Sequence, residues 1–127
     1  MNRVDWNEQF KIRPRSNASR KHEVIKILLV LNLIEKNRKQ LYWIRIYTEF
    51  PVVEGKICDV YFENTKSREV IAYEIQKKVT PEWIKETNKE YAKWKNPYLT
   101  IDWVLVKETD LSNDIEILGK QIKELII

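Results

Sequence analysis

Two short turns constrain this chain most. Glu54-Gly55 forms one, and the stretch from Asn64 to Arg68 forms the other. Around them lie three segments rich in β-branched and aromatic residues: Leu41–Val53, Ile57–Glu63 and Glu69–Lys77. Connections this short join antiparallel neighbours, because a parallel return needs a crossover of about a dozen residues or more. The middle of the chain therefore predicts an antiparallel meander of three strands.

Helices flank the meander. Ser19 suits the N-cap of a helix from Arg20 to Lys36. Val24, Ile25, Leu28, Leu31 and Ile34 keep helical spacing, and Ile27, Leu29, Val30 and Leu33 widen the apolar face. That helix should be buried on most sides. Thr80-Pro81-Glu82 starts a second helix with a cap, a proline and a first-turn acid. Its seam is Ile84, Thr87, Tyr91 and Trp94, and Asn96-Pro97 ends it. Leu99–Val106 reads as a fourth strand, parallel to the third across that helix. Ser112 should cap a last helix facing inward through Ile115, Leu118, Ile122 and Leu125. The expected fold is α/β: a mixed four-stranded sheet flanked by helices, one domain over residues 19–127.

Residues 1–18 read as a basic arm, irregular or briefly helical near Asp5–Phe10. The formal charge is +4 and the pI about 9.1. Arg3, Lys11, Arg13, Arg15, Arg20 and Lys21, against Asp5 and Glu8, carry that whole surplus within the first 21 residues. Two readings fit: phosphate-backbone contacts through Arg13, Arg15, Arg20 and Lys21 with Phe10 nearby, or a flexible solubilising arm. One cysteine excludes an internal disulfide and a cysteine-built metal site, and fits a reducing compartment. No apolar run is long enough for a bilayer, and the opening residues lack a signal peptide's apolar region, so a cytoplasmic location is expected.

Side-chain alternation adds a chemical expectation. Pairing Asn64 with Glu69 sets Phe62 opposite Ile71, Val60 opposite Tyr73 and Cys58 opposite Ile75, all apolar pairs. The same register sets Asp59 beside Glu74, with Gln76 on the same face. Opposed carboxylates destabilise a sheet pair unless a cation lies between them, and hard oxygen donors suit Mg²⁺ or Mn²⁺. An ordinary solvated strand face with surface acids is the plainer alternative. His22 and Lys26, one helical turn apart, suit phosphate contact or proton transfer; a surface or capping histidine is the rival. Trp43, Trp83, Trp94 and Trp103 are expected mostly in the core.

Gly55-Lys56-Ile57-Cys58-Asp59, followed by Val70-Ile71-Ala72-Tyr73-Glu74-Ile75-Gln76, resembles the motif of the PD-(D/E)XK nuclease superfamily. The element order resembles that family's αβββαβ core over almost the whole chain. Glu74-Ile75-Gln76 is similar to the Glu-x-Gln variant of competence CoiA-like nucleases, as are Ser19, His22 and Lys26 on the first helix. The small size is similar to that of archaeal Holliday-junction resolvases. The chain departs from the pattern in having Cys58 where a proline commonly precedes the acid, and no motif lysine.

The resemblance implies a metal-dependent endonuclease, with branched or single-stranded DNA among its substrates, RNA not excluded, and no organic cofactor. Asp59, Glu74 and the Ile75 carbonyl would hold Mg²⁺ or Mn²⁺. Gln76 would take the place of the lysine that orients water, although an amide is not a general base. Lys78 would restore a positive charge if the strand extends to it. Glu23 would match an acid brought near the metal, its alternative being a solvated first-turn acid. Glu49 would approach from the first strand or stay an edge acid. Family members often dimerise, and Leu125-Ile126-Ile127 offers an apolar contact or a last core turn. The rival functions are a catalytically inactive nucleic-acid binder of the same fold and a basic protein–protein module.

Overall fold

The computed structural model describes residues 5–126, so Arg3 and Ile127 lie outside the described residues. Five strands form one sheet in the order β1-β2-β3-β4-β5. They are β1 (Phe10–Lys11), β2 (Ile44–Val53), β3 (Lys56–Asn64), β4 (Glu69–Gln76) and β5 (Thr100–Lys107). β2, β3 and β4 form the expected antiparallel meander, and β5 runs parallel to β4. The helices are α1 (Arg20–Lys36), α2 (Pro81–Tyr91) and α3 (Ile115–Ile126). Ser19 and Thr80 cap α1 and α2 by accepting the backbone N–H groups of His22 and Trp83.

The fifth strand corrects the expected four. Phe10 and Lys11 pair in parallel with Ile46 and Tyr47 at the open edge of β2. Phe10 is buried in the core rather than free to grip a nucleic acid. Gln9 is also buried, and its amide donates to the carbonyls of Leu41 and Ile44. From residue 5 onward the opening segment is therefore built into the domain. It covers a sheet edge that would otherwise expose unpaired backbone groups.

α1 and α3 cover one face of the sheet. Ile25, Leu29 and Leu33 meet Ile44, Ile46, Val60, Phe62, Tyr73 and Ile75, with Leu118, Ile122 and Ile126 closing the core. Each such side chain contributes about 1.5–3 kcal/mol on burial. α2 covers the other face, where Tyr91 packs with Val52, Cys58, Tyr61, Val70 and Ala72. Trp103 stacks on Tyr91 with centroids 5.9 Å apart, and Trp94 donates to the Leu99 carbonyl at 3.0 Å. Trp43 instead belongs to the 3-10 turn Arg38–Trp43 and is 38% exposed.

Two helix expectations change. The inward residues of α3 are Leu118, Ile122 and Ile126, whereas Ile115 and Leu125 are 61% and 43% exposed. The cap is Asp114, whose carboxylate accepts from the N–H groups of Glu116 and Ile117; Ser112 accepts from Asp114 one step earlier. On α1, Ile27 and Leu31 stand 50% and 56% exposed, because the sheet lies beneath the helix and α3 beside it, with no layer above among the described residues.

Ile122→Ala should cost about 2–5 kcal/mol of folding free energy, and Ile115→Ala less than about 0.5 kcal/mol. Urea denaturation of both variants checks the inward face of α3; equal losses would contradict it.

Candidate functional site

The register is as expected from Asn64–Glu69 through Phe62–Ile71 to Val60–Tyr73, and the ladder then stops. The cause lies partly in β2. Glu49 adopts a left-handed backbone, φ 49°, which a side-chain-bearing residue rarely takes. Thr48 pairs with Val60 and Phe50 with Cys58, but the ladder skips Glu49 and Asp59 between them. Side chains lose their alternation at that point. Phe50 and Cys58 join the α2 face, while Glu49 and Asp59 reach groups on α1.

The expected Cys58–Ile75 pair is therefore absent: the two side chains belong to opposite faces of the sheet. Asp59 and Glu74 do not sit side by side on one face either. Asp59 Oδ1 takes His22 Nε2 at 3.1 Å, and Oδ2 accepts the Ile75 N–H at 2.7 Å. Glu74 Oε2 accepts the Tyr91 hydroxyl at 2.5 Å, and Oε1 lies 3.2 Å from Lys56 Nζ. One carboxylate thus looks toward α1 and the other toward α2, although both adjoin Ile75. Their charges still interact. Burial raises the pKa of Glu74 to about 6, and the charge of Asp59 adds to that rise.

α1 supplies a chain of polar groups to Asp59. His22 bridges Asp59 and Glu23, with Nδ1 3.0 Å from Glu23 Oε2. Lys26, 2% exposed, donates to Glu23 at 2.9 Å, to Glu49 at 3.4 Å and to the Arg13 carbonyl at 2.9 Å. His22 and Lys26 are therefore joined through Glu23, and both are buried. The bond to Asp59 raises the His22 pKa most; burial opposes it and Glu23 adds to it. Burial pulls Glu23 upward, but the Arg15 N–H, Lys26 and His22 together hold it below its ordinary value. Burial pushes Glu49 upward against the attraction of Lys26. Neither Glu23 nor Glu49 is the plain solvated acid that was its alternative.

The other expected site residues are dispersed. Gln76 ends β4 beside Lys107, and Lys78 is exposed past the end of the strand, so the extension that would place it on the Glu74 face does not occur. The Arg15 guanidinium lies 3.8 Å from Asp59 and 3.1 Å from Asn17. Lys21 is committed to the Leu111 carbonyl and Asn113, pinning α1 to the segment before α3. Arg13 and Arg20 are exposed, with no ion pair among the described residues. Burial removes His22 and Lys26 from the surface contacts expected of them. Cys58 is buried, which pushes its thiol pKa up and keeps it inert.

Sequence reasoning missed Lys56. It pairs with Glu74 and, at 3.5 Å, with Glu90, and stands over the Trp83 ring at 5.6 Å. Its signal was parity, since it lies two residues before Cys58. That parity pointed to the wrong face until the kink at Asp59 reversed it.

Among the described residues no three His, Cys, Asp or Glu side chains are grouped so as to hold a metal ion. None of the helices among them is long and apolar enough to cross a membrane. No family model matches the chain, nor does any curated protein or solved structure.

Glu74 and His22 fix the direction of the pH dependence. Each holds its proton more tightly folded than unfolded. The Glu74 contribution is complete below its ordinary 4.5 and lost as pH rises to about 6. The His22 contribution is complete below 6.5 and lost as pH climbs through its raised value. Urea denaturation across pH 4.5–8 should show stability falling in both windows. Glu74→Gln should flatten the lower slope and His22→Gln the upper; unchanged slopes would refute the assignment.

Proposed function

We propose that this chain is a metal-dependent nuclease that hydrolyses DNA phosphodiester bonds. One observation carries the reading: the Asp59 carboxylate is hydrogen-bonded to the backbone N–H of Ile75, the middle residue of Glu74-Ile75-Gln76. The acid of β3 thus sits against the triplet of β4 that resembles the PD-(D/E)XK motif, within an element order that resembles that family's core. The chemistry of the donors fits a hard divalent cation. Asp59 and Glu74 are buried carboxylates whose negative charges oppose one another, and burial raises the value of a neutralising ion.

To hold the ion together with the Ile75 carbonyl, Asp59 and Glu74 would have to turn toward one another from the α1 and α2 sides, giving up some of the donors they now accept. The ion would supply Lewis-acid polarisation of the phosphate and a bound water of lowered pKa. The remaining work falls to the chain. His22 and the Ile75 N–H hold Asp59 in one orientation. Lys26 compensates Glu23 and Glu49, and Arg15, partly exposed beside Asp59, is placed to attract a phosphate. Gln76 would orient water by hydrogen bonding, without taking its proton.

A second reading is a nucleic-acid binder of the same fold that does not cut. It is favoured by the four carboxylate oxygens of Asp59 and Glu74, each already engaged, and by their separation toward α1 and α2.

Incubation with supercoiled, single-stranded and branched DNA and with RNA, in Mg²⁺ or Mn²⁺ against chelator, separates the readings. Metal-dependent cutting should fall about 100-fold or more in Asp59→Ala and Glu74→Ala, with binding retained. Affinity at low salt without cutting would establish the second reading. The absence of both would leave a protein–protein module.

A further inference from the structure

A cleft of about 450 Å³ lies beside the β2–β3 turn, and the chemistry of Asp59 and Glu74 makes no use of it. Its lining includes Val52, Val53, Glu54, Lys93, Trp94 and Lys95. Sites for small organic groups span about 300–1,000 Å³.

The lining specifies an occupant. Val52 and Val53 form an apolar wall and belong, with Trp94, to the cluster on the α2 face. Trp94 follows the end of α2 and is half-buried. Its indole N–H donates to the Leu99 carbonyl at 3.0 Å. That bond fixes the ring and takes its single donor, so the ring offers a ligand only its flat apolar surface. Lys93 and Lys95 flank Trp94 in the chain, are exposed, and form no ion pair among the described residues. Glu54 is the one acid on the lining. A matching ligand carries a flat ring with negative charge beside it, as a nucleotide unit does. A paired base keeps both faces within its stack, so only an unpaired base can lie on Trp94.

The position agrees. Val53 pairs with Lys56, and Asp59 follows three residues further along β3, a path of about 10 Å at about 3.3 Å per residue. About three nucleotides cover that distance at about 3.4 Å of rise each. Glu74 turns toward the same α2 side.

We propose that this cleft is a base-stacking subsite for single-stranded nucleic acid, with a base laid on Trp94 against Val52 and Val53 and its neighbouring phosphates on Lys93 and Lys95. The ligand class rests on the nucleic-acid reading above and narrows it to unpaired strands.

Fluorescence anisotropy with a labelled oligothymidine strand, in chelator so that nothing is cut, tests the proposal. The unaltered chain should bind it about 5- to 100-fold more tightly than an abasic strand of equal length. Trp94→Ala should lose that preference and Trp94→Phe keep most of it, with the abasic affinity unchanged in both. A loss confined to one strand is a readout that misfolding cannot produce. Lys93→Gln with Lys95→Gln should lower the slope of log affinity against log salt by about 1.4, about 0.7 for each phosphate contact, with circular dichroism unchanged. Equal affinity for the two strands would reveal a plain polyanion patch and overturn the subsite. So would unchanged oligothymidine binding by Trp94→Ala, or no binding at low salt. Metal-dependent cutting with binding indifferent to Trp94 would remove the subsite and leave the nuclease reading standing. Trp94-dependent binding without cutting would do the reverse.

Discussion

The Asp59 carboxylate occupies the point where β3 and β4 part, and the surrounding polar structure depends on how it is satisfied. A buried carboxylate is costly unless its oxygens find donors. Asp59 has two, the imidazole of His22 and the backbone N–H of Ile75. The second bond does the work that a ladder hydrogen bond would otherwise do, so the strands separate without leaving that N–H unpaired. The first ties the sheet to α1 through a side chain that is itself held by Glu23.

Around this point two lysines, one buried and one half-buried, balance the acids, one on each face. Lys26 serves Glu23 and Glu49 beneath α1, and Lys56 serves Glu74 and Glu90 beneath α2. The division explains why the carboxylates stay separate although they adjoin the same residue. Two like charges in a poorly solvated site repel strongly, and each lowers its energy by turning to its own partner, Asp59 to His22 and Glu74 to Lys56. The proposed metal would act on this balance, since an ion bound by both carboxylates competes with the lysines and with Tyr91.

Much of this was legible locally. The Ser19 and Thr80 caps, the bounds of α1, the order of the main elements and the Asn64–Glu69 register all follow from neighbouring residues or from pairing across one short loop. Asp59, Glu74, His22, Glu23, Lys26 and Glu49, singled out for their chemistry, all carry buried or half-buried polar contacts. The errors of facing at the site share a cause. Alternation was extended along β3 through Val60 to Asp59, opposite the point where the backbone of Glu49 breaks the pleat. From there the facing assignments on β3 reversed, and Lys56 was missed for the same reason.

The sequence by itself determined the main helices and the antiparallel meander, because caps, turns and apolar spacing act over a few residues. Only the tertiary structure decided which way Asp59 faces, that Phe10–Lys11 closes the edge of the sheet, and that one side of α1 stays uncovered by the described residues. Those outcomes depend on contacts between segments far apart in the chain, such as His22 with Asp59 and Gln9 with Ile44. No local pattern encodes them, since each is settled by which distant group satisfies a buried charge or an open edge.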